Sequence, residues 1–129
     1  MIVQSNLDRE FEAIEDVWSP RVIAEANGQY VKIARARGEF VWHAHAAEDE
    51  FFLVHRGELV IHYRDGEDVV LGPGDFHVVP RGREHMTEAR EECWILMVEP
   101  VSTRHTGETE SDLTKPVEAQ IAHLTDVGR

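Results

Sequence analysis

The chain of 129 residues carries 25 acidic against 13 basic side chains, a formal net charge of −12. A field of that sign repels nucleic acid and anionic membrane surfaces, and no run approaches the roughly 20 apolar residues of a membrane-spanning helix. The single cysteine, Cys93, excludes an intramolecular disulfide and points to a reducing, cytoplasmic setting.

The N-terminal stretch "MIVQSNLDREFEAIED" has neither the basic start nor the apolar core of a secretory signal, which agrees with that setting. "NLDREFEAIEDVWSP" begins as a short helix, with Asn6 as N-cap and Pro20 as stop. From Gln29 the pattern changes to short β-like runs: "QYVKIARAR", "EFVWHAH", "EFFLVHRG", "ELVIHYR", "EDVVLGP", "DFHVVP" and "ECWILMVEP". Asp65-Gly66 between two of them is a hairpin signal. Gly72-Pro73-Gly74 and Pro80-Arg81-Gly82 are turns too rigid for a helix interior. Short strands in such close succession predict an all-β sandwich or barrel, without room for crossover helices. After Pro100 the chain turns polar, with a short helix near "PVEAQIAHL" in a tail that wraps over the barrel or a partner subunit. Length and the absence of repeats predict one domain over 1–129, with a barrel core at about 28–100 and a tail at 101–129.

The stretch "HAHAAEDEFFLVHRG" carries the chemistry. Side chains alternate along a strand, so His43 and His45 share one face while Trp42 and Ala44 take the other. By strand rise the two imidazoles lie about 7 Å apart, close enough to converge on one ion. Glu50 follows a short connection, from which a neighbouring strand aims its carboxylate at the same point. His85, after the Pro80–Gly82 turn, supplies a third nitrogen. Three neutral imidazoles and one carboxylate suit one divalent transition ion: iron, manganese, nickel, cobalt, copper or zinc. The absence of thiolates argues against a structural zinc knot. Four protein ligands on an ion that prefers six leave two places for water, oxygen or a chelating substrate.

Around this quartet, Phe52, Val54, His77 and Thr87 are the candidate pocket-lining residues. Phe52 and Val54 share the face of Glu50, and Thr87 that of His85; core packing is their default role. Glu48 and Asp49 read as solvated acids beside the site. His55 and His62, near Arg56 and Arg64, fall on an exposed face, as do Arg35 and Arg37. Tyr63 reads as structural and Cys93 as a buried, inert thiol. His105 and His123 read as surface residues of the tail.

These motifs resemble those of the cupin superfamily. "GEFVWHAHAAEDEFFLVHRG" is similar to the first cupin motif, at Gly38, His43, His45, Glu50 and Gly57. "GDFHVVPRGREH" is similar to the second, at Gly74, Pro80, Gly82 and His85. Four residues rather than the common five separate Gly38 from His43, and Ala89 stands where an asparagine often closes the second motif. "WSPRVIAEANGQYVKIARARGEFVWHAH", "EECWILMVEP" and "HTGET" extend the resemblance to small single-domain cupins often labelled mannose-6-phosphate isomerase-like. It implies a double-stranded β-helix (jelly-roll) barrel with short helical or irregular termini, a central metal, and a homodimer joined through "RVIAEANGQYVKI". The expected function is an enzyme using the metal's open positions on a small oxygen-rich metabolite, by oxygen activation or by isomerase or lyase chemistry. The alternative is a non-catalytic module that binds a metabolite or metal, and a purely structural barrel comes last.

Overall fold

The computed structural model describes residues 4–103, 107, 115–116 and 119–120. They form one short helix, α1 (Leu7–Glu12), and seven strands: β1 (Arg21–Ala26), β2 (Gln29–Glu39), β3 (Glu50–Arg56), β4 (Leu59–Tyr63), β5 (Val69–Leu71), β6 (Phe76–Val79) and β7 (His85–Pro100). Every pairing between them is antiparallel. The sheet runs in the order β1-β2-β7-β3-β6, and β4 pairs with both β7 and β5. The length of β7 lets the sheet curl. Its Met86–Glu88 end pairs with β4, its Trp94–Val98 end with β3, and β2 follows it along the other edge. The all-β class is the one expected from the strand pattern, and the jelly-roll form is the one the motif resemblance implies.

Alternation decides what faces the interior. Ala34 and Ala36 of β2, Phe52 and Val54 of β3, Leu59, Ile61 and Tyr63 of β4, and Cys93, Ile95 and Met97 of β7 form the main core. On the outer face of β2 and β7, Ile33 and Trp94 pack against Phe11 and Ile14 from the N-terminal segment. At six residues α1 is too short to persist on its own propensity. It is held by Phe11, which is fully buried with its ring stacked 4.8 Å from that of Trp94. Asn6 caps it, its side-chain oxygen accepting from the N–H groups of Asp8 (3.0 Å) and Arg9 (3.4 Å).

Four elements differ from expectation. The helix ends at Glu12 rather than near Pro20, because the following residues are drawn across the barrel mouth. There Trp18 donates its backbone N–H to the Arg35 carbonyl (2.8 Å) and its indole N–H to the Arg37 carbonyl (2.9 Å). "EFVWHAH" is not a regular strand beyond Glu39: His43 makes an isolated bridge to His85. The sheet also begins earlier, at Arg21, and the last strand starts at His85 rather than near Glu92. His105 and His123 lie outside the described residues, and of "PVEAQIAHL" only Pro116, Ala119 and Gln120 are described. Among the described residues, no helix is long and apolar enough to cross a membrane.

Candidate metal centre

His43 and His85 exchange both backbone hydrogen bonds across their bridge, at 2.9 Å each, which brings their rings to 4.4 Å between centroids. The turn at Pro80–Gly82 then clasps the connection that precedes β3. The Gly82 N–H donates to the His45 carbonyl (2.8 Å) and the Arg81 N–H to the Asp49 carboxylate (2.9 Å). These two bonds lock the first histidine pair to the segment carrying the third. Freed from a straight strand, the rings of His43 and His45 approach to 5.1 Å, closer than strand rise alone allows.

The result is one compact set of donors. Ligand atoms of His43, His45, Glu50 and His85 all lie within 4.8 Å of one another. Nε2 of His45 stands 3.5 Å, and Nε2 of His85 3.9 Å, from Glu50 Oε1. All four side chains are buried, none more than 4% exposed. Nδ1 of His43 lies 2.9 Å from the Val41 carbonyl, and Nδ1 of His85 2.9 Å from the Arg83 carbonyl. A carbonyl only accepts, so each Nδ1 carries the proton and Nε2 keeps the lone pair.

Nε2 of His45 and Nε2 of His85 are buried with no hydrogen-bond partner. Such orphans are costly inside a protein. Burial pushes the His45 imidazole below its ordinary pKa and that of His85 down to about 4, so both rings are neutral near pH 7. Burial likewise raises the Glu50 carboxyl. Two unpartnered imidazole nitrogens facing a desolvated carboxyl group fit a divalent cation, which satisfies all of them at once. The four residues could therefore bind a metal ion.

Beside the centre lies a cavity of about 30 Å³, roofed by Trp18, Pro20 and Phe40. Phe52 and Thr87 are among its lining residues, together with His43 and Glu50. Val54 and His77 are not. Val54 is fully buried in the main core, and His77 sits on β6 with its Nε2 2.7 Å from the Tyr63 hydroxyl. Arg35 faces outward, donating to the Ile14 carbonyl (2.8 Å) and to both oxygens of Glu92 (2.9 Å each). Arg37 is exposed. His55 meets Asp8 at 2.8 Å; His62 meets Glu88 at 2.8 Å and Asp68 at 2.9 Å. Glu48 bonds the Ala47 N–H at 3.2 Å, and burial pushes the Cys93 thiol up to about 12.

Two residues that motif spacing does not single out stand next to the quartet. Lys32 and Glu99 are buried at 0% and 1% exposure, with Lys32 Nζ 2.8 Å from Glu99 Oε1, and Glu99 lies one step along the β3–β7 register from the Phe51–Val98 pair, beside Glu50. Trp18 is a third, placed in the roof by a segment that reads as helix. The parity of Lys32 with Ala34 and Ala36 is the one sequence signal that points it inward.

The family model described as "Cupin domain" matches residues 29–99, a span that holds all four ligand positions. The uncharacterized protein YdbB of Bacillus subtilis (strain 168) is 39% identical over 77 residues, 60% of this chain and 68% of that protein. A cupin-2 domain containing protein from Shewanella frigidimarina NCIMB 400 has a crystal structure that superposes with a TM-score of 0.72 at 45% identity, covering 74% of this chain and 93% of that one. The hydroquinone 1,2-dioxygenase PnpCD, solved with Cd2+ and 4-hydroxybenzonitrile, superposes with a TM-score of 0.64 over 74% of this chain and 71% of that one. At 24% identity it is alike in fold alone. The isomerase label finds no support in these likenesses.

Proposed function

The chain belongs to the cupin domain family, and on that premise we propose that His43, His45, Glu50 and His85 hold one divalent transition ion, with which the barrel acts as an enzyme on a small oxygen-rich substrate. The observation that carries this reading is the pair of buried, unpartnered Nε2 atoms of His45 and His85, turned toward the Glu50 carboxyl. A bound ion supplies Lewis-acid or redox chemistry at its open positions. The chain supplies the rest. The Val41 and Arg83 carbonyls fix the tautomer and orientation of two ligand rings. Trp18, Phe40 and Phe52 keep bulk water from one side of the site, and Thr87 offers a hydroxyl to a substrate oxygen on that wall. PnpCD, a dioxygenase of the same fold solved with Cd2+, supports the oxygen-activating version by analogy of fold only.

Elemental analysis of the purified protein, beside a His43→Ala/His45→Ala variant, tests the reading. Stoichiometric metal in the parent and none in the variant is the expected result. A parent that stays empty after incubation with each candidate ion overturns it. Iron, manganese, nickel or copper directs the next assay to oxygen consumption; zinc or cobalt directs it to anaerobic isomerase and lyase screens.

One observation favours the second reading, a binding module without turnover. The cavity of about 30 Å³ holds only a water or two, so a substrate of metabolite size enters only if the roof opens. Saturable ligand binding without product supports that reading. The proposal also takes residues 1–129 as one cytoplasmic domain, with its core at about 28–100 and its tail at 101–129. It pairs two copies through β1, which ends the sheet order with β2 as its partner among the described residues. Sedimentation at micromolar concentration reads out the dimer.

A further inference from the structure

β6 ends the sheet order, and among the described residues it pairs with β3 alone. The alternation of an antiparallel ladder decides what its other edge presents. The Val54 N–H donates to the Asp75 carbonyl at 3.0 Å, and two-residue steps along that register make Phe52–His77 and Glu50–Val79 the bonded pairs. Leu53–Phe76 and Phe51–Val78 are then the non-bonded pairs, so the N–H and C=O groups of Phe76 and Val78 point away from β3. The same two residues turn their side chains to solvent. Phe76 is 66% and Val78 46% exposed, with the Phe76 ring stacked 5.8 Å from that of Phe51. His77 and Val79 take the other face, His77 bonded to the Tyr63 hydroxyl at 2.7 Å and Val79 in the main core. Open edges are commonly blunted by a lysine, a proline, a bulge or an inward charge. "FHVV" has no such device within it: its register with β3 runs without a shift, and Pro80 stands past its end. Only its length of four residues restrains it.

We propose that β6 is a self-association edge, filled by β6 of a second copy of this chain in antiparallel pairing about a two-fold axis at His77. That centre sets Phe76 opposite Val78 of the second copy, and Val78 opposite its Phe76. Each of these residues exchanges both backbone hydrogen bonds with its opposite, and directly opposed residues share a face, so the apolar side chains meet on the outer side. Phe51, Phe76 and Val78 of both copies then leave water as one cluster. A centre between His77 and Val78 would oppose outward residues to inward ones and is excluded by parity. Charge selects the same occupant. Exposed Asp75 lies just before β6 and exposed Arg81 just past it. Antiparallel pairing carries Asp75 of each copy toward Arg81 of the other, so the strand that suits this edge is apolar outward, acidic before its start and basic past its end, as β6 itself is. The contact is isologous and lies at the opposite end of the sheet order from β1.

The test is the mass of the purified full chain by light scattering at matched concentrations, with amide hydrogen exchange of β6 beside it. Phe76→Lys puts a cation on a side chain already in water, which spares the fold, and is expected to halve the mass. Val78→Pro deletes an N–H that β3 does not use, a change an edge strand tolerates, and is expected to halve it too. Val70→Lys, at a residue 57% exposed on β5, is the control and is expected to keep the parent's mass. Exchange at the Phe76 and Val78 amides is expected to slow in the parent as concentration rises, and the Val78 amide to stay fast in Phe76→Lys. The halving is expected whether pairing through β1 makes the parent a tetramer or its absence leaves a dimer, so the two interfaces are read separately. A parent no heavier than Phe76→Lys overturns the proposal, as does a folded Val78→Pro that associates like the parent. If Val78→Pro does not fold, Phe76→Lys and the exchange rates decide alone. A halved mass in Val70→Lys, or fast exchange at both amides in the associated parent, places the contact elsewhere and overturns the proposal equally.

Discussion

At the scale of the residue, Gly57 shows how little freedom the barrel leaves. Its φ is +84°, and an added Cβ would lie 2.7 Å from the Glu92 carbonyl oxygen. Both the left-handed backbone and the close approach require glycine. Gly57→Ala is expected to lose at least about 1–3 kcal/mol from backbone strain alone, measured as a lower urea midpoint with an unchanged slope. This position is legible in the sequence because it lies at a fixed offset from Glu50, and the same holds for His43, His45 and His85. The spacing names the quartet, whereas its convergence comes from His43 and His45 leaving the straight strand that alternation predicts. Lys32 and Glu99 are less legible. Alternation turns Lys32 inward with Ala34 and Ala36, but nothing local announces its partner, which only the β2–β7 register supplies. Val54 shows the converse: parity shared with Glu50 puts its side chain inside without saying whether it meets cavity or core.

At the scale of the element, α1 is a helix held by one ring. Phe11 stacks on Trp94 at 4.8 Å and on His55 at 5.5 Å. Phe11→Ala is expected to cost about 3–5 kcal/mol and to release the N-terminal segment, seen as a protease-sensitive site near α1 and altered tryptophan fluorescence. The segment after α1 carries Trp18 into the roof of the cavity, so the same variant is expected to loosen that roof. The helix start was readable from Asn6, whereas its end was not, since the pull of Arg35 and Arg37 carbonyls on Trp18 is a tertiary effect. On the opposite flank His62 of β4 bridges Glu88 of β7 and Asp68 in the turn before β5. The Glu88 hydrogen bond, followed by Asp68, holds its imidazolium above the ordinary pKa. A raised folded pKa gives stability that is full below the unfolded value near 6.5 and is lost as pH rises through the folded one. The site is largely solvated, so the gain is about 0.2–1 kcal/mol. Urea midpoints at pH 5.5 and 8.5 are expected to converge between parent and His62→Gln at the higher pH and separate at the lower.

At the scale of the whole molecule, the strand pattern and the all-β class were legible because each follows from local alternation and turn chemistry, and the two motifs were legible through their resemblance to a known family. The closure of the sheet was not, because it depends on the full length of β7, whose early residues "HMTEAR" hide among charges. An ion that binds only the folded barrel adds stability by mass action, about 2.7 kcal/mol at a free concentration one hundred times its dissociation constant. A chelator is therefore expected to lower the melting temperature of metal-loaded protein, and to leave that of His43→Ala/His45→Ala unchanged. The layout of β7 also sets a timetable. His85 opens this strand and Glu99 nearly closes it, while His43, His45 and Glu50 come from sequence made much earlier. A chain still being synthesised holds two histidines and a glutamate with nothing to assemble them. The centre comes into being only once β7 has slotted between β2 on one side and β3 and β4 on the other. On the proposed four-ligand reading, choice among competing ions would fall to the finished barrel, and the free-metal supply of the compartment where folding ends would decide which ion is taken.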